Sequence, residues 1–264
     1  MMEPSSLDRA EPDLRVECDR GIAVVRFDRP PVNAFTRSMY DQLRRTFHRL
    51  AEMDDLRVIV LTGTGRVFCG GNEISEFVDL GYEEATEHLA HVRLCFNAIY
   101  DCPVPVIGAI NGAAIGTGMA LATLCDIRIA ADTAVFALPE IDVGVLGGSK
   151  HVMRIAPQGL TRLMMFTGRR VSAAQALAAS MIEEAVPPAQ VLPRARELAE
   201  EIASKSPKAI RFAKVGLNRT ENMTLKEGYE FECTLTAAVR RTAEAREGAL
   251  AFIEKRKPSY ALDR

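Results

Sequence analysis

A chain of 264 residues is long enough for one large domain or a domain with an appendage, and its 48% hydrophobic composition can build a sizeable core. Thirty-five acidic side chains against 33 basic ones leave a formal charge of −2, which argues against a general nucleic-acid or membrane-surface role. Whole-chain disorder is excluded by the same composition.

Residues 1–13, MMEPSSLDRAEPD, are acidic and proline-punctuated and read as a disordered leader without a hydrophobic signal core. LRVECDRGIAVVRFDRP at 14–30 alternates around Gly21 and predicts a hairpin, stopped by Pro30 and Pro31. The segment 36–55 has helical spacing at Met39, Leu43, Phe47 and Leu50, with Thr36 as N-cap. RVIVLTGTG at 57–65 is a short strand, and a helix is expected over 83–100. VPVIGAINGAAIG at 104–116 starts as a buried strand and enters a glycine-rich turn; a small-residue helix and two short strands follow, up to Glu140. Strands alternating with helices and glycine-rich turns predict a parallel α/β architecture with the ligand at the turns. After Gly148 no strong strand candidate remains, and helices are expected over 149–166, 172–179, 189–203, 207–217, 224–241 and 242–254.

No stretch reads as a membrane span; the longest apolar run, around Pro103–Leu121, is broken by glycine and polar residues. The six cysteines have no CxxC spacing and read as reduced thiols of a cytoplasmic protein. Of the four histidines only His88 and His91 are close, in a weak HLAH spacing, so no metal site is expected.

Two turns carry the functional signal: Phe68–Ile74 after the strand at 57–62, and Asn111–Gly118 after the strand at 104–110. Each can supply one N–H to a carbonyl oxygen, a pair suited to an enolate or tetrahedral oxyanion; equally, glycine-rich turns serve packing alone. IGTG at 115–118 is not the GxGxxG dinucleotide fingerprint, and neither a Walker-type phosphate loop nor a GxSxG elbow occurs. Glu140 follows a proline at the end of an apolar strand pattern. Buried there, it would gain a pKa suited to proton transfer; the alternatives are a helix cap or a structural ion pair.

Taken together, these segments resemble the enoyl-CoA hydratase/isomerase, or crotonase, superfamily. DRPPVNAF at 28–35 is similar to its RPxxNAL signature, and GRVFCGGNEISEF at 65–77 to its KAFxAGADIxEM loop. NGAAIGTGMALATLCDIRIA at 111–130 resembles NGxAxGGGxELALxCDxRxA, FALPEIDVG at 136–144 resembles FxxPEIxxG, and EGALAFIEKRKPSY at 247–260 resembles EGxxAFxEKRxPxF. Order and spacing agree from about residue 14 to 260.

The resemblance implies a spiral core of ββα units over 14–200 and a helical region over 201–264 that covers the active site and builds a homotrimer or a hexameric dimer of trimers. It implies an acyl-CoA substrate, with coenzyme A as part of that substrate and no separate cofactor. The oxyanion donors carry over to the backbone N–H groups of Asn72 and Thr117, at the family's AGAD alanine and the second glycine of GGG. CoA would run along Arg29, Val32, Ala34, Cys69 and Gly71, with Phe252 and Lys255 reaching it from an adjacent subunit.

Departures from the pattern sharpen the reading. The hydratase pattern has two glutamates; here the first position is Ala120 and the second is Glu140. One glutamate can shuttle a proton between two carbons, so the resemblance leans toward double-bond isomerases over hydratases. A lyase, decarboxylase or thioester hydrolase is the alternative on the same scaffold. A non-catalytic oligomeric scaffold or RNA-associated protein is the other, although neutral charge offers no RNA footprint. VGVLGGSKHVMR at 143–154 puts Gly147 where the family has proline and brings His151 near the site, as a substitute acid–base group or as a surface or interface residue. Lys150 is expected to meet an acid across the trimer, Glu73 to be structural and Glu76 to lie on a following helix. Phe77, His88, Leu89, Phe136 and Val145 are candidates for the acyl pocket.

Overall fold

The computed structural model describes residues 12–260. Most of the expected leader, residues 1–11, therefore lies outside the described residues. At its boundary Asp13 is already held, its carbonyl accepting the Asp28 N–H at 2.8 Å and its carboxylate the Gln42 amide at 2.9 Å. β1 (Leu14–Asp19) and β2 (Ile22–Phe27) form the predicted antiparallel hairpin. In α1 (Arg37–Ala51) the Thr36 hydroxyl accepts the Met39 N–H at 3.2 Å, the expected cap. The buried face of α1 carries Met39, Leu43, Phe47 and Leu50, with Tyr40 beside them.

From there the chain climbs in a spiral. One turn is β3 (Val58–Gly63), β4 (Val67–Cys69) and α2 (Tyr82–Tyr100). The next is β5 (Val106–Ile110), β6 (Ala113–Ile115) and α3 (Thr117–Leu124), and β7 (Ile127–Ala131) with β8 (Val135–Ala137) opens a third. Beyond them come α4 (Ser149–Val152), α5 (Gln158–Thr167), β9 (Val171–Ser172), α6 (Ala173–Ala178) and β10 (Glu184–Val186). The first strand of each turn enters a six-stranded sheet of order β1-β2-β3-β5-β7-β10, parallel except for the β1–β2 hairpin. The second strand enters a smaller sheet of order β4-β6-β8-β9, in which only the β8–β9 pair is antiparallel. β3 and β5 are buried along their whole length, which is why they read as continuous apolar runs without alternation.

Four short strands correct the sequence reading in two places. β4 and β6 have three residues each; β4 runs into the first stretch read as a glycine-rich turn and β6 lies within the second. β9 and β10 fall after Gly148, where no strong strand was expected. All four are too short for a period of two to show. The helix expected over 149–166 is also divided: Pro157 caps α5, and its missing N–H and restricted φ separate that helix from α4.

The chain finishes in α7 (Val191–Ala203), which packs across β3, β5 and β7, and then α8 (Pro207–Thr220), α9 (Leu225–Val239) and α10 (Ala243–Ile253). Of these last helices, α8 is pinned to the core by two cations, a buried lysine and a half-buried arginine. Lys214 of α8 pairs with Asp126 at 2.5 Å, and Asp126 also accepts the Val106 N–H of β5 at 2.8 Å. Arg211 donates to the carbonyls of Met53 and Leu56, at 3.2 and 3.1 Å. All six cysteines are free thiols. Among the described residues no helix is long and apolar enough to cross a membrane, and no cluster of histidine, cysteine or carboxylate side chains is arranged for a metal.

Candidate active site

The two glycine-rich turns meet. After β4 the chain passes Gly70 and Gly71 and pairs with the segment after β2: Gly70 N–H donates to Val32 O, Phe35 N–H to Gly71 O and Glu73 N–H to Phe35 O, each at 2.8 Å. Segments some forty residues apart in sequence thus form one ribbon that holds Val32, Ala34, Cys69 and Gly71 together. Arg29 joins it, with its guanidinium donating to Ala34 O at 3.1 Å and to the Glu73 carboxylate at 2.9 Å. The Ser75 hydroxyl and then the Arg29 guanidinium hold the Glu73 carboxyl below its ordinary range, so Glu73 is a structural anchor of the ribbon. Glu76 lies on a 3-10 turn, Ile74–Glu76, rather than on a following helix, and accepts the Arg37 N–H at the start of α1.

In this pairing the residues on either side of Asn72 face Phe35, and the Asn72 N–H itself has no hydrogen-bond partner among the described residues. Thr117 opens α3, where the first N–H groups have no carbonyl one turn back to reach, and its N–H is likewise unpartnered among the described residues. Gly116, just before it, adopts φ +54°, a conformation that other residues rarely take. Gly118 permits the close approach of α3 to β4, since a Cβ there would lie 2.3 Å from the Cys69 carbonyl oxygen. The two free N–H groups therefore sit on adjacent loops: a Cβ at Gly71 would be 3.4 Å from the Ile115 carbonyl.

Glu140 stands on the 3-10 turn Pro139–Val143 that follows β8. Its Oε1 packs against both glycine segments, lying 3.1 Å from where a Cβ would be at Gly116 and 2.3 Å from one at Gly147. Gly147 thus leaves the space that this carboxylate occupies. Its Oε2 is buried and has no hydrogen-bond partner among the described residues. Desolvation raises the Glu140 pKa above the glutamate norm, opposed in part by its own backbone N–H. Buried carboxylate oxygens are ordinarily satisfied, so an orphaned one beside two orphaned N–H groups marks a place for chemistry. Ala120, at the first glutamate position, is buried with its methyl group against Gly148 and offers no second carboxylate.

The remaining candidates divide. His151 on α4 lies edge-on to Phe96 with ring centroids 5.3 Å apart, and burial, then Arg154 and Lys150, lower its pKa. It makes no hydrogen bond to Glu140 among the described residues. Phe77 and His88 meet at 4.6 Å, and His88 also meets Tyr40 at 5.8 Å, forming one wall beside the loops. Phe136 is in the core, whereas Leu89 and Val145 are 62% and 53% exposed. Phe252 is 85% exposed in the single chain, and Lys255 is exposed beside it. A surface cavity of about 460 Å³ lined by Arg15, Arg26, Thr62 and Asn111, among others, contains none of these residues.

One participant escaped the sequence reading. Tyr40, fully buried, places its hydroxyl 2.5 Å from Asn72 Oδ1 and 2.6 Å from Thr117 Oγ1, and Thr117 Oγ1 donates to Asn72 Oδ1 at 2.8 Å. The available signal was the pair of polar residues, Asn72 and Thr117, at positions where the resembled motifs have alanine and glycine.

Comparison with known proteins agrees with this architecture. Residues 17–262 match the family model described as enoyl-CoA hydratase/isomerase. A (7aS)-7a-methyl-1,5-dioxo-2,3,5,6,7,7a-hexahydro-1H-indene-carboxyl-CoA hydrolase of Rhodococcus jostii (strain RHA1) is 34% identical over 90% of this chain and 93% of its own length. The mitochondrial enoyl-CoA hydratase of Pongo abelii is 33% identical over 90% of this chain and 83% of its own. The solved structure of Pseudomonas aeruginosa DspI superposes with a TM-score of 0.93 at 31% identity, covering 98% of this chain and all of that one. The chain belongs to the enoyl-CoA hydratase/isomerase, or crotonase, superfamily. With that membership comes an enzymatic activity of the general hydratase/isomerase type on acyl-CoA thioesters.

Proposed function

We propose that this family member moves a proton within an unsaturated acyl-CoA through an enolate, with Glu140 as its one acid–base group. The thioester oxygen lies between the N–H groups of Asn72 and Thr117. Ionised Glu140 takes a proton from Cα of a 3-enoyl thioester; the C–H pair becomes a double bond from Cα to the thioester carbon, and the carbonyl π pair moves onto the thioester oxygen. The carbonyl then re-forms, its displaced pair makes the Cα–Cβ double bond, and the former Cβ–Cγ π pair takes a proton at Cγ from the same carboxyl, whose proton has exchanged with solvent. The product is the conjugated 2-enoyl thioester, an isomer of the substrate that in D₂O takes up solvent deuterium at Cγ. Oxyanion donors of this kind contribute about 3 kcal/mol each to the transition state, and a positioned general base about 10²–10⁴ in rate.

The observation that carries the reading is the orphaned, buried Glu140 Oε2 beside two unpartnered N–H groups. Ala120 supports isomerisation over hydration because the position of the first glutamate of the hydratase pattern holds no carboxylate to activate water. CoA follows the ribbon of Arg29, Val32, Ala34, Cys69 and Gly71. Phe252 and Lys255 meet it across a subunit boundary in a trimer or dimer of trimers, built by the helices after residue 200. His151, neutral under its lowered pKa, lines the site behind Phe96.

A second reading has one observation in its favour. The Rhodococcus jostii relative is named as a hydrolase of a carboxyl-CoA compound, and a lone buried carboxylate can also activate water. Glu140→Gln tests the shared core of both. We expect loss of turnover by about 10² or more, the scale of a general base, with butyryl-CoA affinity by calorimetry retained. If the substitution abolished CoA binding instead, Glu140 would have a structural role and the catalytic assignment would fall.

A further inference from the structure

The two residues proposed as backbone oxyanion donors are also joined through their side chains. Asn72 Oδ1, Thr117 Oγ1 and Tyr40 Oη form a triangle with edges of 2.5, 2.6 and 2.8 Å. Neither loop could make this contact with the alanine and glycine of the motifs it resembles, and Tyr40 belongs to neither loop. We infer that Tyr40, acting through the Thr117 and Asn72 side chains, is a positioning residue that sets the spacing of the two N–H donors; the inference rests on the reading of those N–H groups as the oxyanion site.

The hydroxyl of Tyr40 is fixed from behind. Its ring is fully buried and packs at 5.1 Å on Phe35, 5.8 Å on His88 and 6.2 Å on Phe96. Phe35 is the residue whose backbone pairs with the chain on both sides of Asn72. The same packing that seats the ring thus seats the first donor loop, and the hydroxyl carries that position across to the second. Burial raises the Tyr40 pKa, keeping a neutral phenol that donates one proton. The triangle has two hydroxyl protons and one amide oxygen that only accepts, so both protons are used inside it. The hydroxyl groups consequently bridge the loops while both backbone N–H groups stay free for a ligand. Oxyanion donors need their geometry held to about half an ångström, which a bridge between two glycine-flanked loops provides.

The test pairs Tyr40→Phe with Thr117→Ala and Thr117→Ser. Tyr40→Phe keeps the packed ring and removes only the bridging hydroxyl. Each variant is assayed on 3-hexenoyl-CoA, and the thioester carbonyl stretch of bound, carbon-13-labelled 2-hexenoyl-CoA is recorded by infrared difference spectroscopy. We expect Tyr40→Phe and Thr117→Ala to lower kcat about tenfold, the size of one lost hydrogen bond, with KM changed less than about twofold. Their carbonyl band should move toward that of free thioester, and Thr117→Ser should recover most of both effects. A Tyr40→Phe enzyme with the wild-type kcat and band would overturn the proposal. So would lower activity that tracks only a lower folded fraction while the band of bound ligand stays unchanged. If the wild-type enzyme did not shift the carbonyl band at all, the oxyanion reading itself would fail, and the role of the triangle with it.

Discussion

Glu140 has a buried, unpartnered oxygen on a half-buried residue, and desolvation is the first cause of its raised pKa. A carboxyl whose folded pKa lies above its unfolded one binds a proton in the folded chain that the unfolded chain has already released. Its stabilising contribution is complete below the ordinary value of 4.5 and is lost as pH rises through the raised pKa. Thermal melts of wild type and Glu140→Gln should therefore diverge in that window, with the glutamine variant equal or more stable on the alkaline side. Activity must run the other way, since the base works ionised: kcat/KM should rise with pH through an apparent pKa above 4.5. A wild-type melt that gained stability across that window would contradict the assignment of desolvation as the main cause. Glu140 and the two turns were legible in sequence because each sits inside a contiguous motif. The part of Tyr40 was not, because its hydroxyl meets partners 32 and 77 residues away, while locally it is one more residue on the apolar face of a helix.

At the scale of elements, the site depends on how closely α3 begins beside β4. Gly118 is the point of contact, with the Cys69 carbonyl where a side chain would start. Gly118→Ala must push backbone against backbone, and overpacking of this kind costs about 1–3 kcal/mol. The displaced start of α3 carries the Thr117 N–H with it, so the folded fraction of this variant should also lose turnover. Circular dichroism melts and specific activity check the two effects separately; an unchanged melt and full activity would show that the approach is not needed. The long strands and helices of this region were legible because burial on both faces, or a 3.6-residue stripe, leaves a pattern many residues long. β4 and β6 were not. Three residues in a glycine-rich stretch become strands only because their neighbours in the next turn of the spiral pair with them.

On the whole-molecule scale, α8 is tied to the core while α9 and α10 expose large apolar side chains. Leu225 is 89% exposed, Tyr229 66%, Phe252 85% and Ile253 74%. Such a concentration on α9 and α10 fits a surface covered by another copy of the chain. Light scattering should then give three or six times the 28.9 kDa of the chain, and Phe252→Asp should lower that mass while weakening CoA affinity. A wild-type particle of one chain would contradict the oligomer and remove Phe252 and Lys255 from the CoA site. The helices themselves were readable from sequence; the pins of Arg211 and Lys214 were not, since a cation on a helix reads as solvated until its partner across the fold is known.

The central claim, one carboxylate moving a proton under two backbone donors, is tested most directly by incubating the enzyme with 3-hexenoyl-CoA in D₂O and resolving the products by mass spectrometry. Proton transfer by Glu140 should give the conjugated 2-enoyl thioester carrying solvent deuterium, with no hydrated product, and Glu140→Gln should yield neither. Accumulation of the hydrated product would contradict it, because water would then have been activated by a group other than the glutamate absent at position 120.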